Sequence, residues 1–219
     1  YEEIGYPPSG TIGNDHALLR LAQKWQRQVN WGGFTAVAGD ITKTVRAIKS
    51  YLYHFEKEFS QEKDYFHLRG QDNILRYRPV GTVVVRLAPD DSLFDVLARI
   101  AAAWISGCNP HISLPPALDN HVVEFLKSNE GRVITDKYPL HRESDEDVMR
   151  AIEHVDRIRY GAPQRVPPAV IKAAAATGFY IARSPVLMEG RIELLHYFIN
   201  QSICDSYHRH GNLGVRTVV

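Results

Sequence analysis

Residues 76–116, RYRPVGTVVVRLAPDDSLFDVLARIAAAWISGCNPHISLPP, limit the possible folds more than any other stretch. Gly81-Thr-Val-Val-Val-Arg-Leu87 is a short β-branched run stopped by Ala88-Pro-Asp-Asp91. Its length and composition suit a strand buried on both faces of a parallel sheet. Asp91 or Ser92 is placed to cap a following helix, since either side chain accepts from first-turn amides that lack partners. Leu93, Val96, Leu97, Ile100, Ala101, Trp104 and Ile105 then recur at helical spacing. Gly107 ends the helix, and Pro110 to Leu114 is a second strand candidate. A right-handed strand–helix–strand crossover is the unit of doubly wound sheets.

The flanking segments extend the same pattern. Residues 1–13 read as a linker, and residues 14–69 as a helical segment. Asn14 or Asp15 caps a helix from Ala17 to about Trp31. Another helix follows Asp40, from Ile41 to about Phe59, and the two could form an antiparallel hairpin. Asn73 to Arg78 alternates as a strand. A helix spans about Asn120 to Ser128, and Arg132 to Thr135 reads as a short strand. Ser144 caps a helix, Asp156 to Tyr160 is a strand, and Ala169 to Thr177 is a helix ended by Gly178. Phe179 to Ala182 reads as the last strand, and Glu189 to about Asn200 as a closing helix before a tail at 201–219. The expected fold is therefore α/β. A Rossmann-like, mainly parallel sheet over residues 70–200 carries helices on both faces, preceded by the N-terminal helical segment.

Composition excludes several function classes. Lys and Arg total 26 against 25 Asp and Glu, a net charge of +1, so no global field draws the chain to nucleic acid. No apolar run approaches a transmembrane length. Two cysteines make neither a disulfide framework nor a zinc set, and both are expected to be small buried residues in a reducing compartment. The chain opens at Tyr1 and is expected to be a piece of a longer polypeptide.

Each chemically suggestive residue has a plainer reading. Cys108 sits at a helix-to-strand turn with no His or Glu close in sequence, and is assigned to packing. Cys204 lies near His196 and His208, without an orienting acid, and is likewise assigned to packing. His196, His208 and His210 suggest a metal site, but His208-Arg-His210 supplies neither a third spaced ligand nor acids to orient the imidazoles, and all three read as surface or interface residues. Neither G-x-G-x-x-G nor G-x-x-x-x-G-K-[ST] is present. Asp90 and Asp91 stand where a pyrophosphate would meet a helix N-terminus, and they would repel it. Catalytic, cofactor-binding and metal residues are thus expected to be absent. The stripe Trp25, Trp31, Phe34, Tyr51, Tyr53, Phe55 and Phe59 exceeds what two helices bury between them. It either packs on the sheet or faces the rest of the polypeptide or another subunit, and the sequence leaves both open.

Pro79, Gly81, Pro89, Gly107 and Pro115 fall in register with the opening of the aldehyde dehydrogenase cofactor domain, which the stretch resembles. That family's pattern runs P-x-G-V-V-x-x-I-x-P-W-N, then A-x-x-A-G-N, then V-x-K-P-S. Its Trp-Asn is Asp90-Asp91 here, its ribose-contacting lysine aligns with Leu114, and no L-G-G or G-Q-x-C signature follows. A second resemblance covers most of the chain. Gly70-Gln-Asp-Asn-Ile-Leu-Arg-Tyr-Arg-Pro79, Ser184-Pro-Val-Leu-Met-Glu-Gly-Arg-Ile-Glu-Leu-Leu195 and Tyr207-His-Arg-His-Gly-Asn-Leu-Gly214 are similar to the C-terminal region of the longer bacterial proline utilization A flavoenzymes.

That resemblance implies a non-catalytic domain appended to a proline dehydrogenase and an NAD-dependent glutamate-semialdehyde dehydrogenase. It implies FAD and NAD in the parent and none here. The partners would be the catalytic domains of the same polypeptide, possibly with a homo-oligomer. The location would be cytoplasmic, with the parent able to sit peripherally at the inner membrane. The implied role is to cover the passage along which the intermediate moves. Tyr207, His208, Arg209, Gly211, Asn212 and Gly214 are the interface candidates, because glycines there allow close backbone approach. The alternatives are a residual NAD-dependent aldehyde or pyrroline-5-carboxylate dehydrogenase domain, or a subunit-oligomerisation module.

Overall fold

The computed structural model describes residues 16–30, 32 and 35–206. The interface candidates Tyr207, His208, Arg209, Gly211, Asn212 and Gly214 lie outside the described residues, as do the caps Asn14 and Asp15, the aromatics Trp31 and Phe34, and His210.

Helix α1 (Ala17–Asn30) buries Leu18, Leu21, Ala22 and Trp25, the predicted stripe. Helix α2 (Ala38–His54) begins two residues before Asp40, so Asp40 does not cap it. Its Oδ2 instead accepts from Leu93 N at 3.1 Å and caps a helix distant in sequence. A single π turn, Phe55–Phe59, ends α2. Strands β1 (Lys63–Asp64) and β2 (Gln71–Pro79) follow, then β3 (Thr82–Arg86).

Helix α3 (Leu93–Ile105) starts in a capping box: Ser92 Oγ accepts from Asp95 N at 3.0 Å, and Asp95 Oδ2 accepts from Ser92 N at 3.1 Å. Gly107, at φ +81°, turns the chain into β4 (Asn109–Leu114). Asn120 caps α4 (His121–Lys127). Arg132–Thr135, expected as a strand, is the helical turn α5. Local bonds close it, with Arg132 N donating to Ser128 O at 2.8 Å and Asp136 N to Arg132 O at 2.7 Å. The place beside β4 goes instead to β5 (Leu140–Arg142), which the periodicity does not reveal in three residues.

Ser144 caps α6 (Asp145–Ala151) in a second capping box, and β6 (Arg157–Arg159), α7 (Pro168–Thr177) and β7 (Ile181–Ala182) follow as expected. The predicted closing helix is cut short. Helix α8 (Gly190–Glu193) and a 3₁₀ turn, Leu194–Tyr197, give way to a nine-residue strand, β8 (Phe198–Ser206). Backbone pairing with β2 holds β8 in place from Gln71↔Ser206 to Pro79↔Phe198, while most of its side chains stay exposed. A strand held that way leaves little hydrophobic pattern to read.

Two sheets result. The five-stranded sheet, in the order β5-β4-β3-β6-β7, is parallel throughout. Val83 and Val85 of β3 face a core built with α1, α2, α3 and α4. Val84 faces a second core built with Val148, Ile152, Val170 and Ala174 of the α6–α7 side. Burial of alternate side chains on opposite faces is what the β-branched run predicts. The second sheet, β1-β2-β8, is an antiparallel ribbon. Trp25, Tyr51 and Phe59 are buried in the main core, so for these three the aromatic stripe packs inward. Helices α1 and α2 therefore share their core with the parallel sheet rather than forming a separate one.

Candidate functional site

In an open parallel sheet, ligands bind beyond the carboxyl ends of the strands where the strand order reverses. Here β3, β4 and β5 run outward on one side, and β6 returns to the other side of β3. The reversal thus lies between β3 and β6, whose carboxyl ends are Arg86 and Arg159.

Protein side chains fill that crevice. Arg99 projects from the middle of α3 with no solvent exposure (0 %). Its Nη1 donates to Arg86 O at 2.7 Å and to Arg159 O at 3.1 Å, so one guanidinium ties the two strand ends together. Its Nε donates to Asp95 O at 2.8 Å, and its Nη2 to Asp91 Oδ2 at 2.5 Å. Asp91 Oδ2 also accepts from Ala88 N at 2.9 Å, and its Oδ1 from Arg165 Nη1 at 2.8 Å. Arg165 Nη1 reaches Asp95 Oδ2 at 3.0 Å, and Arg165 Nε reaches Asp90 Oδ2 at 3.0 Å. That hydrogen bond from Arg165 is the main reason the Asp90 carboxyl lies below its ordinary value. Gly161 is needed beside this cluster, because a Cβ there would sit 2.6 Å from Arg165 Nη1 and 2.8 Å from Asp91 Oδ1.

A second buried network adjoins the first. Arg159 and Glu193 are both at 0 % exposure. Arg159 Nη2 donates to Glu193 Oε1 at 2.9 Å and Oε2 at 3.0 Å, and Nη1 donates to Ser184 O at 2.6 Å. Glu193 Oε2 also accepts from Leu187 N at 3.1 Å, and Oε1 from Tyr197 OH at 3.3 Å. Burial pushes the Glu193 carboxyl upward, and the facing Arg159 opposes that shift. On the other side of the β3 terminus, Arg86 donates to Ser113 Oγ at 2.9 Å, Glu143 O at 2.8 Å and Asp145 Oδ1 at 2.9 Å.

The arrangement suits cohesion better than chemistry. Two first-turn amides of α3 that would receive a phosphate are engaged, Leu93 N by Asp40 and Asp95 N by Ser92. Three carboxylates, Asp90, Asp91 and Asp95, converge on Arg165. An incoming anion would have to displace charged partners that already satisfy one another. Of the two cap candidates, Asp91 and Ser92, it is Ser92 that caps α3, while Asp91 binds Arg99 and Arg165 and Asp90 binds Arg165.

The other predicted residues are not brought to this crevice. Cys108 precedes β4, at the amino end of the sheet. It is buried, its Sγ donates to Tyr197 O at 3.3 Å, and burial pushes its thiol up to about 12. Cys204 was expected to be packed but is exposed on β8, where Gln71 Nε2 lies 2.7 Å from its sulfur. The segment carrying it is a ribbon strand and not the end of a packed helix. His196 is half-buried, and its imidazole is lowered to about 4 by burial, then by Arg159 and Arg157.

Sequence reasoning missed Arg99, Arg159, Arg165 and Glu193. One signal was available: Arg99 is the only cation in the helix LFDVLARIAAAWI, and a charge on so apolar an element requires a buried partner. A further unpredicted pairing lies on β4 and β5. There the His111 and His141 rings stack at 4.2 Å, and His111 Nε2 meets Glu143 Oε1 at 2.9 Å. Among the described residues, no group of three or more His, Cys, Asp or Glu side chains is placed to hold a metal ion. No helix there is long and apolar enough to cross a membrane.

No protein-family model and no curated sequence matches the chain. Solved structures do. Proline utilization A from Bdellovibrio bacteriovorus matches 77% of this chain at 16% identity and a TM-score of 0.55. A variant of proline utilization A from Bradyrhizobium japonicum matches 77% at 15% identity and 0.56. The aldehyde dehydrogenase AldH from Staphylococcus aureus matches 75% at 16% identity and 0.54. The match spans 19% of each of these two proline utilization A chains and 38% of AldH. These likenesses establish the fold alone: it is the α/β fold that these aldehyde dehydrogenase and proline utilization A structures share.

Proposed function

We propose that the chain is a non-catalytic, aldehyde-dehydrogenase-like domain of a longer proline-catabolic oxidoreductase, with an architectural role. One observation carries this reading. The crevice where such a sheet would take a cofactor is occupied by the Asp91–Arg99–Arg165 network. The parent would hold FAD and NAD in its own catalytic domains, and this domain none. Its partners would be those catalytic domains, and its work would be to cover the passage between them and exclude water from it. The tail residues Tyr207 to Gly214 and the β2–β8 ribbon are the surfaces assigned to that contact.

The experiment is deletion of this region from the longer polypeptide. Each half-reaction assayed separately should keep its rate. The coupled reaction should show a lag and release intermediate to a chemical trap in solution. A coupled reaction without lag or escape would reject the covering role.

The ribbon favours a second reading, subunit association. Among the described residues, strand β8 is an edge strand of nine residues with a largely exposed surface and no Lys or Pro to block pairing. A concentration-dependent mass in light scattering would support that reading.

A further inference from the structure

The π turn and the root of the ribbon enclose a cleft of about 310 Å³ that plays no part in the filled crevice. Its volume lies at the lower end of the range of small-molecule sites. Its apolar wall is aromatic: the Phe59 and Phe198 rings stack at 4.9 Å, Tyr77 lies 4.7 Å from Phe59, and Phe55 stacks on Phe198 at 6.4 Å. Phe55 and Tyr77 are only partly buried, so their rings remain available to a ligand. The wall is shaped by a π turn, an element that recurs at functional sites.

The polar groups of the cleft are unevenly used. Arg76 is engaged by Glu62 Oε1 at 2.9 Å and Gln201 Oε1 at 2.6 Å. Arg78 lines the same cleft, is exposed, and has no side-chain ion pair or hydrogen bond among the described residues. The Ser106 hydroxyl, in the cleft wall, is buried without a hydrogen-bond partner. With Arg76 and Glu62 balanced, one uncompensated guanidinium remains beside an aromatic wall.

We propose that this cleft binds a small aromatic carboxylate. The ring would stack on Tyr77 and Phe55, and the carboxylate would accept from the Arg78 guanidinium, a fork that matches carboxylate geometry. The inference stands independently of the reading of the whole domain.

The test is calorimetric titration of the 219-residue chain with naphthoate, with naphthylmethanol as the neutral match. Saturable one-to-one binding of naphthoate is expected, with the alcohol weaker by about tenfold or more. Arg78→Ala, at an exposed position, should abolish that preference and leave the alcohol unchanged. Phe55→Ala should weaken both, with circular dichroism confirming that it folds. No saturable heat up to the solubility limit would overturn the proposal, as would equal binding of acid and alcohol or an Arg78→Ala variant that binds naphthoate normally.

Discussion

Arg99 Nη2 lies 2.5 Å from Asp91 Oδ2, and both side chains are essentially without solvent contact, at 0 % and 1 %. A buried pair of this kind adds little over a well-packed apolar pair, yet removing one partner strands the other. Arg99→Met should therefore destabilise the chain by about 3–5 kcal/mol. Asp91→Asn should cost a comparable amount, since Ala88 N and Arg99 donate to one carboxylate oxygen and Arg165 to the other, while an amide keeps only one acceptor and leaves the Arg99 charge without its counter-ion. Urea unfolding with both single variants and the double variant checks this, and the two effects should fall well short of additive.

The contact between α2 and α8 depends on a missing side chain. Gly190 N donates to Ser50 Oγ at 2.9 Å, and a Cβ at Gly190 would lie 2.6 Å from Ser50 O and 2.8 Å from Tyr51 Cα. Both obstacles are backbone and cannot swing aside. Gly190→Ala should lower stability by about 1–3 kcal/mol, while Gly39→Ala, which meets nothing within 4 Å, should not. Thermal unfolding of the two variants distinguishes them.

His196 makes stability depend on acid. Its folded value, about 4, lies below the ordinary 6.5, so the unfolded chain takes up a proton first as pH falls. The contribution is complete above pH 6.5 and is lost as pH drops through the folded value near 4. The slope in that window is at most about 1.4 kcal/mol per pH unit, or about 2 kcal/mol in all after discounting for partial exposure. His196→Gln should flatten the window, as followed by urea midpoints at a series of pH values.

The two cysteines should react differently. Cys204 is exposed, whereas Cys108 is buried with its thiol pushed up to about 12. A thiol reagent at neutral pH should modify one equivalent quickly, and the second only on unfolding. Cys204→Ser should remove the fast phase. A fast phase that survives in Cys204→Ser would place Cys108 within reach of solvent.

Much of the parallel sheet was legible because its signals are local. The Val83–Val85 run, the Ser92 and Ser144 caps and the glycines at 107 and 178 each act within a few residues. What escaped depends on partners far away in the chain. Strand β8 exists because β2 offers nine backbone positions, and β5 because β4 has a free edge. The capping role of Asp40 leaves no local trace, since the amide it serves lies 53 residues on. Two carboxylates at the start of α3, Asp90 and Asp91, could be read directly. Their guanidinium partners could not, because Arg165 comes from a loop after β6 that only the folded sheet brings near.

Protein side chains occupy the crevice between β3 and β6 where a cofactor would otherwise sit. The most direct measurement is calorimetric titration of the chain with NAD into the millimolar range, with thermal unfolding in parallel. No saturable heat and no stabilisation are expected. A functional site would raise stability by about 2.7 kcal/mol at a hundred times the dissociation constant. Saturable binding with that stabilisation, lost on mutation around Asp91 and Arg165, would make this crevice a working cofactor site and overturn the reading of it as filled.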